Sequence, residues 1–108
     1  MRGQEFGTPF VETDSGTAQA VATHAASSGK KFFITDISGS TDKGGCEIVV
    51  SNGGTIIWQD RMSNTGTQFA VYSRTFSTPL SGTVGNSVVV TVGSATTMCY
   101  ANMAGYEL

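Results

Sequence analysis

The stretch Cys46–Asp60, CEIVVSNGGTIIWQD, decides the fold. Cys46, Ile48 and Val50 alternate with Glu47, Val49 and Ser51, the period of two that sends successive side chains to opposite faces of a strand. Asn52-Gly53-Gly54 follows with residues that tolerate positive φ, as a tight turn between twisted strands requires. Thr55-Ile56-Ile57-Trp58-Gln59 then returns with β-branched and aromatic side chains suited to a pleated, half-buried surface. A helix would need three- and four-residue spacing, and its two central glycines would cost it about 2 kcal/mol. The stretch is a β-hairpin. It holds no reactive constellation.

Upstream, Lys30–Ser38 (KKFFITDIS) is a second strand. Strict alternation puts Phe33, Thr35 and Ile37 on one face and Phe32, Ile34 and Asp36 on the other. Apolar residues on both faces predict a central strand between a core and a second layer or neighbour. Gly39–Gly45 (GSTDKGG) is a solvated loop into the hairpin. Thr17–His24 (TAQAVATH) mixes helix-favouring alanines with the Gln19, Val21, Thr23 alternation and a Ser27-Ser28-Gly29 break, and is read as a strand. Residues 1–16 (MRGQEFGTPFVETDSG) show no sustained period and predict an extended arm carrying Phe6 and Phe10 as candidate docking side chains. The string Glu5-Phe6-Gly7-Thr8 reads equally well as a cloning remnant, and nothing is built on Arg2 or Glu5.

Downstream, Arg61–Gly66 is a turn cluster and Thr67–Thr75 (TQFAVYSRT) a strand. Phe76–Gly85 contains a proline and glycines, an irregular crossing. Ser87–Val92 (SVVVTV) is the most strongly β sequence of the chain, and Thr96–Met103 forms a closing strand. Seven to eight short strands at about ten-residue spacing predict an all-β antiparallel sandwich of jelly-roll type over residues 17–108, behind the arm of residues 1–16.

The chain has 108 residues, enough for one core that buries roughly 60–65% of the unfolded surface. Charged residues make up 13%, the net charge is −2, and Ser, Thr and Gly exceed a third of the chain. Such a composition hydroxylates the exposed strand faces and offers no electrostatic reason to approach nucleic acid or an anionic membrane. No apolar run reaches the roughly 18–20 residues of a membrane span, and no basic-then-apolar signal segment opens the chain.

Chemistry-bearing residues are sparse. Cys46 and Cys99 are too far apart for a zinc knuckle or CxxC motif. They read first as two buried thiols and alternatively as one bridge worth about 3–4 kcal/mol. His24 is the only histidine, which excludes a two-histidine metal site or a relay within one chain and reads as a surface or edge-strand residue. Asp36, Asp42, Glu47 and Asp60 are scattered over strands and loops with no spacing that pairs them for hydrolysis. Gly44-Gly45 and Gly53-Gly54 are turns without a following helix to hold phosphate. Three lysines, Lys30, Lys31 and Lys43, make no nucleic-acid stripe. These residues imply no enzyme, cofactor or metal. Tyr72, Tyr100 and Tyr106 form a candidate glycan platform, with core or subunit interface as the competing role for the aromatics.

The succession GKKFFITDIS, EIVVSNGGTIIWQ, FSTPLSGTVGNSVVVTV and a terminal AGYE resembles a diffuse group of small phage proteins. The matching positions are Gly29, Lys30, Ile57, Trp58, Pro79, Leu80, Gly82, Gly85, Gly105 and Tyr106, spanning about residues 29–107. The resemblance implies a jelly-roll-like virion component, a head decoration or fibre protein or a tail part, often trimeric, with the virion as its location after assembly in the bacterial host cytoplasm. Its implied partners are copies of itself and a major capsid or tail protein. The alternative is a carbohydrate- or receptor-binding module that meets a host surface glycan. Strands apolar on both faces predict that self-association buries Phe32, Phe33, Ile34, Ile57 and Trp58.

Overall fold

A computed structural model of the chain describes residues 7–42, 46–62 and 70–108, with the backbone alone at 46, 62 and 94–97. Among the described residues there are six strands and no helix: β1 (Thr8–Ala25), β2 (Phe32–Thr41), β3 (Cys46–Asn52), β4 (Thr55–Met62), β5 (Ala70–Ser81) and β6 (Ser87–Glu107). The hairpin forms as its sequence dictates. β3 and β4 pair from Cys46↔Met62 to Asn52↔Thr55, and Gly53 and Gly54, at φ 58° and 100°, make the two-residue turn whose twist matches the strands.

All pairings are antiparallel, and β6 is the hub. Its first half lies between β3 and the second half of β1, while its second half lies between β2 and the first half of β1. The order β4-β3-β6-β2-β5, with β1 on the other edge of β6, folds into two facing half-sheets at the bend shared by β1 and β6. The first half-sheet is β4, β3, the start of β6 and the end of β1; the second is β5, β2, the end of β6 and the start of β1. The fold is therefore an all-β sandwich of jelly-roll type, and its six strands supply the seven segments that the sequence shows as short strands together with an eighth, Thr8–Gly16, that it does not. Ser87–Val92 and Thr96–Met103 are two such segments of the single strand β6.

The core fills the space between the half-sheets. Ile48, Val50, Val88, Val90, Val92, Ala20 and Ala22 come from the first, and Phe32, Ile34, Ile37, Ala70, Cys99, Ala101 and Met103 from the second. Burying each of the larger side chains stabilises the fold by about 1.5–3 kcal/mol. Burial also pushes the Cys99 thiol up, with a further push from Asp42. The side chain of Cys46, and with it the bridge read as an alternative, lies outside the described residues.

Besides β2 running on to Thr41, into the stretch read as a solvated loop, three sequence expectations change here. First, β2 does not alternate strictly. A register shift between Ile34 and Asp36 inserts Thr35 as a bulge, so Ile37 joins Phe32 and Ile34 inside while Asp36 turns out beside Phe33. The strand thus has one apolar and one largely polar face. Second, residues 8–16 are no arm: they form the first half of β1, paired with β6 from Thr8↔Glu107 to Gly16↔Cys99. Their weak period reflects an edge strand in which only Phe10, Glu12 and Gly16 reach half-burial. Third, Phe76–Gly85 is not wholly irregular, since β5 runs to Ser81 with Phe76–Pro79 bulging out where Asp36↔Thr75 gives way to Ile34↔Leu80. Phe6 lies outside the described residues.

Candidate functional site

Antiparallel register sets the outer face of the second half-sheet row by row. Tyr106 pairs with Phe33 and Pro9; Ala104 with Asp36 and Val11; Asn102 with Ser38 and Thr13; Tyr100 with Ser40 and Ser15. β5 extends these rows with Ser81, Thr75, Ser73 and Val71. The two middle rows therefore carry small or polar side chains, and the outer two carry the aromatics. Tyr100 and Tyr106, six residues apart on one face of β6, stand about 20 Å apart along the strand. Between them runs a trough across four strands.

The trough has two adjoining depressions. One, of about 230 Å³, spans Val11, Ala104, Asp36, Ser38, Ser73 and Thr75. The other, a wide hollow of about 610 Å³, is bounded by Thr13, Asp14, Ser15, Ser40 and Tyr100. Asn102 borders both. Its amide donates to Ser38 Oγ at 3.2 Å, which orients the side chain on the floor. Asp36 accepts from Thr35 Oγ1 and from Thr75 Oγ1, each at 2.8 Å, so its carboxylate is fixed by neighbours on two strands. Tyr106 stacks on Phe33 with centroids 5.0 Å apart, and Lys31 Nζ stands 5.6 Å from the Phe33 ring. This wall is held by ring contact and a cation above it. Tyr100 is 40% exposed and forms the opposite wall.

Two further clusters close the sandwich at its rims. At the β4–β5 rim, Trp58 packs edge-on against Phe76 and tilted against Tyr72, and the Arg74 guanidinium stands 5.7 Å from both the Trp58 and Phe76 rings. Tyr72 donates its hydroxyl to Asp60 at 2.7 Å. That bond, with one from the Arg61 backbone N–H, holds the Asp60 carboxyl below the usual range; burial, then the Asp60 carboxylate, pushes the Tyr72 phenol up. At the β1 rim, His24 Nδ1 meets Glu12 at 2.8 Å, Nε2 meets Glu107, and Phe10 stacks on the imidazole at 3.6 Å. The Ser27 backbone N–H donates to Glu107 at 3.0 Å. The Ser27 backbone, its side chain and His24, in that order, hold the Glu107 carboxyl below its ordinary value.

The residues singled out from sequence are thus divided. Tyr100 and Tyr106 share the trough, whereas Tyr72 points to the opposite side of its strand and belongs to the rim. Phe33 joins the trough. Phe32 and Ile34, expected at a subunit interface, are instead fully buried in the core between the half-sheets. Ile57 and Trp58 are partly buried against the core. Phe10, expected as a free docking side chain, is covered by His24. His24 is no plain surface residue either: its two ring nitrogens engage different carboxylates. Those carboxylates flank the ring and do not converge on a point, and among the described residues no group of three His, Cys, Asp or Glu side chains could hold a metal. Asp36 and Glu47 point from opposite outer faces, and Glu47 pairs with Arg61 at 3.9 Å. Sequence reasoning missed the trough and both rims. The trough had a signal in the alternation Tyr100, Asn102, Ala104, Tyr106.

No family model and no curated protein matches the chain. Among solved structures it is similar to the insecticidal delta-endotoxin Cry8Ea1 from Bacillus thuringiensis at TM-score 0.46 and 16% identity, over 92% of this chain and 19% of that one. It is similar to the extra small virus particle protein of the prawn Macrobrachium rosenbergii at 0.41 and 11%, over 92% and 77%. The carbohydrate-binding module CBM36, solved with calcium and xylotriose, is similar at 0.46 and 10%, over 89% and 78%. The chain spans about a fifth of the endotoxin.

Proposed function

We propose that this domain is a non-catalytic binding module for an extended, uncharged, hydroxyl-rich polymer, a polysaccharide, laid across the trough of the second half-sheet. The observation that carries this reading is the pairing of aromatic walls, Tyr100 and the Phe33–Tyr106 stack, with a floor of oriented polar groups at Asn102, Ser38 and Asp36. Sugar rings present apolar faces and hydroxyl edges. Aromatic faces take the first, and fixed donors and acceptors take the second. A trough open at both ends suits a chain better than a small molecule. A glycan array tests it: binding that Tyr100→Ala abolishes supports the reading, and an array without a hit opposes it.

A second reading, a virion component that assembles with itself and docks on a capsid or tail protein, draws on the other outer face. There Val21, Thr91, Val49 and Gln59 form one row and Thr23, Val89, Ser51 and Ile56 the next, with no charged side chain in either. A homotrimer by light scattering would support this reading, and a monomer at micromolar concentration would defeat it.

A further inference from the structure

We propose that the first half of β1, Thr8–Thr17, exchanges between two copies of this chain, with Ala18 as the hinge. Each copy's segment would then complete the second half-sheet of the other.

The hinge carries the argument. Between the paired positions Thr17↔Met98 and Gln19↔Gly93, β1 turns the corner with one residue, Ala18, while β6 uses residues 94–97. Ala18 sits at φ 70°, the one non-glycine residue with positive φ among those described. In that region an alanine Cβ crowds the following carbonyl oxygen, a conformation populated roughly five- to thirtyfold less readily than by glycine. The Ala18 side chain is exposed, so no packing compensates. The corner is also tight: a Cβ on Gly16 would stand 2.4 Å from the Gln19 carbonyl oxygen. Extending the backbone at Ala18 removes the left-handed residue and carries Thr8–Thr17 away from its own body. Short hinges under strain favour this outcome.

What the segment leaves behind defines its occupant. Thr8–Thr17 pairs with β6 alone, from Thr8↔Glu107 to Thr17↔Met98. Its inward contacts are Phe10 against the core and on His24, Glu12 on His24, and the Asp14 carboxylate accepting the Val21 N–H at 2.8 Å. Each of these is available in the same register from a second copy, and the strained corner is not rebuilt. The exchange is reciprocal about a twofold axis, so it closes as a dimer and does not propagate.

Thr13 and Asn102 are directly paired on β1 and β6, so the double variant Thr13→Cys/Asn102→Cys reports which chain supplies the segment. After oxidation, a non-reducing gel should show covalently linked dimers whose share rises with protein concentration, with the single-cysteine variants as controls for the native thiols. Adding Ala18→Gly should raise the dissociation constant of the exchanged dimer at least about tenfold, since glycine accepts the closed corner. Dimers in solution that run as single chains on the gel would overturn the proposal. So would a chain that stays monomeric at every concentration, or an Ala18→Gly variant that dimerises as readily as the parent.

Discussion

Nδ1 of His24 stands 2.8 Å from a carboxylate oxygen of Glu12, although the two residues lie twelve positions apart on the same strand. In a straight strand they would be about 40 Å apart. The contact exists because β1 bends at Ala18 and serves both half-sheets, so a side chain from each end meets across the rim. Glu107, 6% exposed, depends on the same ring. His24→Ala takes the ring away from that carboxylate, leaves it only the Ser27 bonds and uncovers Phe10; a loss of about 1–3 kcal/mol is expected in urea unfolding. His24→Gln, which retains one donor, should lose less.

Glu107 also sets a pH dependence. Its folded carboxyl lies below the unfolded value, so between the two values the unfolded chain binds more protons and stability rises with pH. The contribution is complete above the ordinary glutamate value near 4.3 and is lost as pH falls through the folded value. The urea midpoint should climb with pH across that acidic window, and Glu107→Gln should flatten the climb. An unchanged slope in the variant would count against the assignment.

At the opposite rim, the Tyr72 phenol should titrate above the ordinary tyrosine value, because burial and the Asp60 carboxylate both disfavour phenolate. Asp60→Asn removes the second cause and leaves the first. Ultraviolet titration should then show the Tyr72 phenol moving part of the way back toward the usual value near 10.

Ile34 and Ile56 separate core from surface. Ile34 is fully buried and Ile56 is 53% exposed. Ile34→Ala should cost about 2–5 kcal/mol, while Ile56→Ala should stay below about 1 kcal/mol. Equal costs, read from chemical denaturation, would contradict the inward phase assigned to β2.

The hairpin and the all-β class were legible because period two, the Gly53-Gly54 turn and β-branched composition all agree on the same local answer. What was not legible depended on phase and on distance along the chain. One bulge at Thr35 reverses the faces of everything after it on β2, and nothing in KKFFITDIS marks the inserted residue. Thr8–Gly16 hid as an apparent arm because an edge strand buries few side chains, and its partner, β6, lies more than eighty residues away. The His24 cluster joins positions 12, 24 and 107, a meeting that only the folded β1 creates. Tyr100 and Tyr106 could be placed on one face by counting along their strand. Their relation to Phe33, Ser38 and Asp36 needed the register with β2.

Affinity electrophoresis through gels cast with a panel of neutral polysaccharides tests the trough most directly. The chain should be retarded by at least one polymer, with binding weakened about tenfold or more, some 1.4 kcal/mol, in Tyr100→Ala and in Asn102→Ala. Tyr72→Ala should bind as the parent does, since Tyr72 faces the rim. Retardation by no polymer, or binding that Tyr72→Ala abolishes while Tyr100→Ala leaves it intact, would contradict the account.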